Sequence, residues 1–464
     1  MRRYAKRMRS RSSVDVGDRF AAVPRVAPGS AAFDFVLSLG VSSLPDVGGD
    51  IWFFAHETDP DFLPFFREVY EGDDVTYAAL LSSRDEVLEE GWFRTDLRSD
   101  EANRNRVEQV IADWPARVCR RLLAGAGRGV AAAPRRPSPR RLLEPRVLPF
   151  VSATLRSRID MAWERLFRHP QWNVGVIGRP VGTLLSAGED LDRQIEWLPL
   201  EDRDGFFADP FGVARDGRLQ ILCEYFGYRE GRGRICTLDY SSGRFTKDLE
   251  PAIDLPLHMS YPFLLERAGE LYCVPETSGA NEVAAFLSTD FPRGWSKAAV
   301  LVERFAGLDP TVFEHEGRWW LMCTEKGPRE DVELWIWHAA DLLGPWEPHA
   351  RNPVKSDVRG VRPGGPPFVH DGALYRPAQD CSRTYGWRLA IQRVNALTPV
   401  EFDEEEASII EASPHSPFPR GRHTLSPVGD VVLVDGRRDV FVWAAFRAFL
   451  RIWARDLARK ASRG

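Results

Sequence analysis

One pattern recurs five times between Phe207 and Asp435: a turn ending in proline, a short apolar run, a glycine turn and a second apolar run. The copies read Ala208-Asp209-Pro210-Phe211-Gly212, Ser260-Tyr261-Pro262-Phe263-Leu264, Leu308-Asp309-Pro310-Thr311-Val312, Gly365-Pro366-Pro367-Phe368-Val369 and Leu425-Ser426-Pro427-Val428-Gly429. Their prolines stand 52, 48, 57 and 60 residues apart. A near-regular period of that size, built from short strands, predicts the blades of a β-propeller, and five blades close a small ring around a narrow channel. The expected fold class is mainly β: a five-bladed β-propeller with a small N-terminal α/β module and a C-terminal helix.

The repeat also predicts where acids gather. In four copies the first run ends at Asp216-Gly217, Ala268-Gly269, Glu316-Gly317 or Asp371-Gly372, and a second apolar run returns. Two such runs around a glycine turn read as an antiparallel hairpin, which brings its first and last residues to one edge. The first strands open with Asp209 and Asp309; the return strands end at Glu224, Glu276, Glu325 and Asp380. These six carboxylates are therefore expected on one rim. Carboxylates around a pocket are the minimum equipment for glycoside chemistry, one as proton donor and another as base or nucleophile. Arg362, Arg376, Gln379, Arg383 and Tyr385 add directional donors in the long fourth copy. Trp319, Trp320, Trp335 and Trp337 fall on predicted strands and read as core.

The Asp209-Pro210-Phe211 and Asp309-Pro310-Thr311 pair resembles the Asp-Pro motifs of the five-bladed propeller glycosidases, the arabinanase, levansucrase and invertase group. A fuller resemblance covers roughly Trp172 to Arg438. Ala208-Asp209-Pro210-Phe211, His258-Met259-Ser260-Tyr261-Pro262-Phe263, Val274-Pro275-Glu276-Thr277, Asp309-Pro310-Thr311-Val312-Phe313, Gly317-Arg318-Trp319-Trp320-Leu321, Arg376-Pro377-Ala378-Gln379-Asp380 and His423-Thr424-Leu425-Ser426 are similar to the N-terminal propeller domain of plant glucosamine inositolphosphorylceramide transferases and their bacterial relatives. In the plant proteins the resemblance assigns glycosyl transfer to a separate C-terminal domain, and 26 residues follow Arg438 here. The glycosidase likeness implies Asp209 as general base or nucleophile, Asp309 as modulator or sugar-hydroxyl acceptor, and Glu276 as general acid, with Glu224, Glu325 or Asp380 as alternatives for the acid. It also places His423 where some of these enzymes set a channel histidine near a divalent cation.

The rest of the chain bounds the context. The 464 residues carry a formal net charge of −5 and are 44% hydrophobic, with 15 Trp and 27 Phe, as a β-rich, aromatic-packed protein with more than one domain requires. No signal peptide and no run of eighteen apolar residues is read, and the six cysteines are scattered singly, which points to a reducing cytoplasm and away from zinc. Boundaries are expected at 1–32 (basic, disordered), 33–124 (α/β fragment), 125–146 (Pro/Arg linker), 147–440 (propeller with an entry helix near 152–168) and 441–464 (basic amphipathic helix). In that last helix Phe446, Phe449, Leu450, Trp453 and Leu457 share one face and Arg447, Arg451, Arg455 and Arg459 another, a pattern suited to a terminal helix docked on the propeller or to the surface of an anionic membrane. Segment 33–124 resembles the second half of a formyltransferase catalytic domain through His56 and Asp85, with Phe54 in place of the expected Asn and Glu86 in place of Gly. The substrate expected is a glycan or glycolipid, bound or transformed; an acidic rim argues against nucleic acid. A recognition or scaffold module working beside a glycosyltransferase is the alternative.

Overall fold

The computed structural model describes residues 35–38, 49–55, 64–84, 86–123, 125, 146–185, 191–200, 204–215, 217–443 and 446–447. The expectations for 1–32, for nearly all of the 125–146 linker and for the helix beyond 447 lie outside the described residues. The chain divides into two compact units, residues 1–159 and 160–464. In the first, strands Phe35–Ser38, Asp50–Ala55, Val75–Ser82 and Val87–Arg94 form one sheet, its first pair parallel and the others antiparallel. Two helices follow, Asp100–Ile111 and Trp114–Leu123. Pro115 explains the break. Near a helix start its missing N–H costs nothing, whereas inside a continuous helix its ring would strike the carbonyl four residues back. The next helix, Val147–Phe167, starts earlier than expected. Its Leu155, Ile159 and Trp163 are 55%, 58% and 55% exposed. No helix among the described residues is long and apolar enough to cross a membrane.

The second unit is mainly β and consists of five antiparallel sheets. The first holds Gly205–Arg215, Arg218–Gly227, Arg232–Ser241 and Arg244–Ile253; the second holds Ser260–Arg267, Glu270–Glu276, Glu282–Asp290 and Arg293–Glu303. The third is built on Gly307–His315, Arg318–Glu325 and Glu333–Ala339, the fourth on Phe368–His370, Ala373–Asp380, Arg388–Leu397 and Phe402–Ile410. The fifth joins the two ends of the region. Its Leu425–Val428 and Val431–Val440 hairpin pairs with His169–Ile177, which pairs in turn with Ile195–Trp197.

Local sequence accounts for the hairpins. Ala268 and Gly269, Glu316 and Gly317, and Asp371 and Gly372 all have positive φ, the two-residue turn whose twist matches that of paired strands. Cys223, Cys273 and Cys323 follow on the return strands as buried free thiols, and Trp319, Trp320 and Trp337 pack between sheets as expected.

The proline copies have a less expected form. In the first three sheets the pairing slips by one residue across the motif, between Ala208 and Phe211, Ser260 and Phe263, and Leu308 and Thr311. The residue before each proline, Asp209, Tyr261 or Asp309, has φ of 52°, 45° or 50°. Non-glycine residues seldom hold that left-handed conformation, and a following proline disfavours helical backbone further. Its threefold recurrence in bulges marks positions held for what their side chains reach. The fifth copy does not share this place. Pro427 lies inside a strand opposite Val432, and its turn glycine, Gly429, follows by two residues, whereas Gly217 follows Pro210 by seven.

Gly365 shows how closely the fourth and fifth sheets meet. Its φ is 133°, and an added Cβ would stand 1.8 Å from the Leu425 carbonyl oxygen. Gly365→Ala is expected to destabilise the unit by more than about 3 kcal/mol, against about 1 kcal/mol for Gly217→Ala, whose Cβ would meet nothing. Urea unfolding of the two variants checks the difference.

Candidate active site

The hairpin register selects the site residues. Counted outward from the pair flanking each turn, the sixth residues are Asp209 and Glu224, Tyr261 and Glu276, Asp309 and Thr324, and, in the fourth sheet, Gly364 and Gln379. The structure therefore brings Asp209, Glu224, Glu276, Asp309 and Gln379 to equivalent places, all buried. Two expected acids stand one residue beyond. Glu325 pairs with Gly307, past Thr324, and is half-buried. Asp380 follows Gln379, and its carboxylate accepts from Ser382 N and Arg388 Nε, each at 2.9 Å. A one-residue offset turns a strand side chain to the opposite face, so both leave the site. Arg376 leaves it too: its guanidinium grips Glu404 at 2.9 and 2.6 Å and the Gly360 carbonyl.

Each acid is tied to the neighbouring sheet. Asp209 Oδ2 accepts the Tyr261 N–H at 3.2 Å, and its Oδ1 accepts the Thr424 hydroxyl at 2.8 Å. Glu276 Oε2 accepts the Asp309 N–H at 3.3 Å, and its Oε1 accepts the Ser278 hydroxyl at 3.3 Å. Asp309 Oδ2 accepts from Arg362 Nε at 2.6 Å and Gln379 Nε2 at 2.7 Å. Tyr261, with no charge to offer, accepts the Gly365 N–H on its phenol oxygen at 2.7 Å. Arg362 also lies 4.8 Å from the Tyr385 ring centre, which places Tyr385 beside the acids.

Burial dominates the electrostatics. It raises the Glu276 pKa to about 8, reinforced by the charge of Asp309 and opposed by Arg362. Burial also lifts Asp209 to about 6, although His423 draws it down. Glu224 is pushed well above the carboxylate range by burial and by Asp209 and Glu276. The acids are thus separated in ionisation by their surroundings, as a proton donor and a proton acceptor must be.

A third element escaped the sequence reading. Asp435, fully buried, accepts the Asp209 N–H on Oδ2 at 3.3 Å and the His423 and Thr424 N–H groups on Oδ1 at 2.9 and 3.0 Å. Its Oδ2 lies 2.5 Å from His423 Nδ1, while His423 Nε2 lies 3.4 Å from Asp209 Oδ1. Asp435 ends the apolar run Val431–Val434 much as Glu224 ends Leu219–Cys223, and that signal could have found it. Trp172 stacks on the His423 ring with centroids 3.9 Å apart. Asp209, His423 and Asp435 offer ligand atoms within 4.8 Å of one another, the place expected for a divalent cation. Burial alone would lower the His423 pKa, but Asp435 and then Asp209 raise it above the ordinary value. A ligating imidazole must be neutral, so a cation here would take the place of a proton on the ring. The geometry is that of an Asp–His–Asp chain.

In the first unit, His56 and Asp85 lie outside the described residues. Phe54 pairs with Leu80 within the sheet and Glu86 precedes its last strand.

Residues 201–417 match the family model described as glucosamine inositolphosphorylceramide transferase 1, N-terminal, which confirms the likeness read from the motifs. The protein of that name from Oryza sativa subsp. japonica is 34% identical over 205 residues, covering 43% of this chain and 27% of the rice protein. Its counterpart from Arabidopsis thaliana is 32% identical over 215 residues, covering 45% and 28%. The chain thus spans little more than a quarter of the length of these relatives. Among solved structures, the family 117 glycoside hydrolase Zg3597 from Zobellia galactanivorans aligns with 14% identity and a TM-score of 0.37, covering 59% of this chain and 91% of that one. The catalytic domain of the Coprinopsis cinerea GH62 α-L-arabinofuranosidase gives 13%, 0.36, 59% and 98%.

The raised pKa of Glu276 has a consequence for stability. A group whose pKa is higher in the folded state favours folding fully below its unfolded value and loses that contribution as pH rises through the folded one. For Glu276 the window runs from about 4.5 to about 8. Glu276→Gln is therefore expected to flatten the fall in unfolding midpoint across that window and to gain on the wild type toward its upper end, measured by thermal unfolding in a pH series.

Proposed function

We propose that the second unit acts on a glycosidic bond at these acids, in a propeller arrangement of its five sheets, with Glu276 as general acid and Asp209 as general base. The carrying observation is the pair of raised pKa values, about 8 and about 6. At neutral pH Glu276 holds a proton to give to the leaving glycosidic oxygen as the bond from the anomeric carbon breaks. Asp209, ionised above about 6, takes the proton of the incoming water or acceptor hydroxyl as the new bond forms. Asp309, oriented by Arg362 and Gln379, faces the sugar hydroxyls, and its charge helps keep Glu276 protonated. The rice and Arabidopsis relatives bear the name of an inositolphosphorylceramide transferase, and a glycolipid or glycan is the substrate class we adopt. The six free cysteines fit a cytoplasmic setting.

One observation favours a second reading, glycan recognition without chemistry. Asp209 and Glu276 each accept a backbone N–H from the next sheet, and Asp309 is held by Arg362, so all three acids also serve as structural ties.

A glycan panel scored for both binding and turnover separates the readings. The rate is expected to rise as Asp209 loses its proton through about pH 6 and to fall as Glu276 loses its own through about pH 8. Asp209→Asn and Glu276→Gln are each expected to lower turnover by about 10²- to 10⁴-fold with binding retained. Binding without turnover, indifferent to both substitutions, establishes the recognition module instead.

A further inference from the structure

We infer that Lys326, Arg232 and His258 form a phosphate-binding subsite at the mouth of the acidic site, with Lys326 linked to Glu276 through the Ser278 hydroxyl. The inference deepens the glycosyl reading above and rests on it for the neighbouring sugar. Lys326 directly follows the return strand of the third sheet, and its Nζ lies 3.4 Å from the Ser278 hydroxyl, which donates to Glu276 Oε1 at 3.3 Å. Arg232 opens the strand beside Glu224, paired with Gly227 at the same end of the sheet. His258 stands between the first and second sheets with its side chain 42% exposed. Its Nδ1 accepts the Gly233 N–H at 2.8 Å, so the neutral ring carries its proton on Nε2 as a donor. That Nε2 lies 3.7 Å from Glu224 Oε1, beyond hydrogen-bonding distance.

The cations here lack the partners found elsewhere. Among the described residues neither Lys326 nor Arg232 is paired with a carboxylate, whereas Arg362, Arg376, Arg388 and Arg422 all are. Burial disfavours charge on the adjacent glutamates, raising Glu276 to about 8 and pushing Glu224 well above the carboxylate range. Burial, then Lys326 and Arg232, hold the His258 pKa down. An ammonium just past a third-sheet strand, a guanidinium from the first sheet and an imidazole N–H from the connection between the first and second suit the several oxygens of a phosphate better than the two of a carboxylate. The ligand is thus a phosphate ester beside the reacting glycosyl unit, borne by a soluble molecule or by a lipid headgroup.

Isothermal titration of inorganic phosphate into the full chain at constant ionic strength tests this. Saturable binding is expected, weakened about tenfold or more in Lys326→Ala and in Arg232→Ala, as loss of one charge-assisted contact predicts. Both side chains reach the surface, and circular dichroism verifies that the variants fold. No saturable heat in the wild type, or affinity unchanged in both variants, overturns the subsite. Asp209→Asn is expected to bind phosphate like the wild type whatever its turnover, so this reading and the catalytic one fail separately. Displacement of phosphate by glycerophosphoinositol alone assigns a soluble ligand; displacement also by phosphatidylinositol vesicles assigns the lipid headgroup.

Discussion

The structure of the second unit depends on a backbone amide, presented at a bulge, reaching an acid in the adjacent sheet. Asp209 N–H meets Asp435, Tyr261 N–H meets Asp209, and Asp309 N–H meets Glu276. A bulge leaves one residue out of the ladder, and its N–H needs an acceptor elsewhere. The left-handed conformation before each proline aims that N–H sideways rather than along the sheet. The acids thus satisfy the backbone where the sheets meet, and the same contacts fix their carboxylates to within hydrogen-bonding tolerance. Preorganisation and sheet-to-sheet cohesion rest on the same atoms.

Packing Asp209, Glu224, Glu276, Asp309 and Asp435 into one buried region creates a charge problem. Ionised carboxylates in low dielectric repel each other and lose hydration. Two different solutions coexist. Arg362 on Asp309 supplies positive charge at hydrogen-bonding range, and His423 lies between Asp209 and Asp435, which both favour the charged form of its ring. Glu276, raised to about 8, retains its proton instead, and burial pushes Glu224 in the same direction. The site therefore holds protonated and ionised carboxyl groups side by side near neutral pH, a state that water would not permit.

Much of this was legible in the chain. The proline period marked four of the five sheets, and the X-Gly turns fixed their hairpins, so Asp209, Glu276 and Asp309 could be named from pattern alone. Glu325 and Asp380 were misplaced because an apolar run does not reveal which residue is paired across a bulge, and the side-chain period of two makes an error of one decisive. Asp435 was passed over because the fifth hairpin carries its proline inside the strand, so counting from Pro427 points to the wrong residues. The partners of Arg376 were invisible for another reason: Glu404 lies on a different strand of the fourth sheet, and pairing of that range has no local signature.

The fifth sheet draws one strand from the start of the region and a hairpin from its end. Trp172 arrives on the first, Asp435 on the second, and His423 just before that hairpin; the ring stacking and the Asp–His–Asp chain exist only once they pair. A ribosome must release more than 260 residues after Trp172 before Asp435 can find its place. Until then the growing chain carries Glu276 and Asp309 on already foldable hairpins but lacks the Asp435 partner of Asp209 and His423. Completion of the Asp–His–Asp chain and pairing of the first strand with the last hairpin thus both wait on the end of the region.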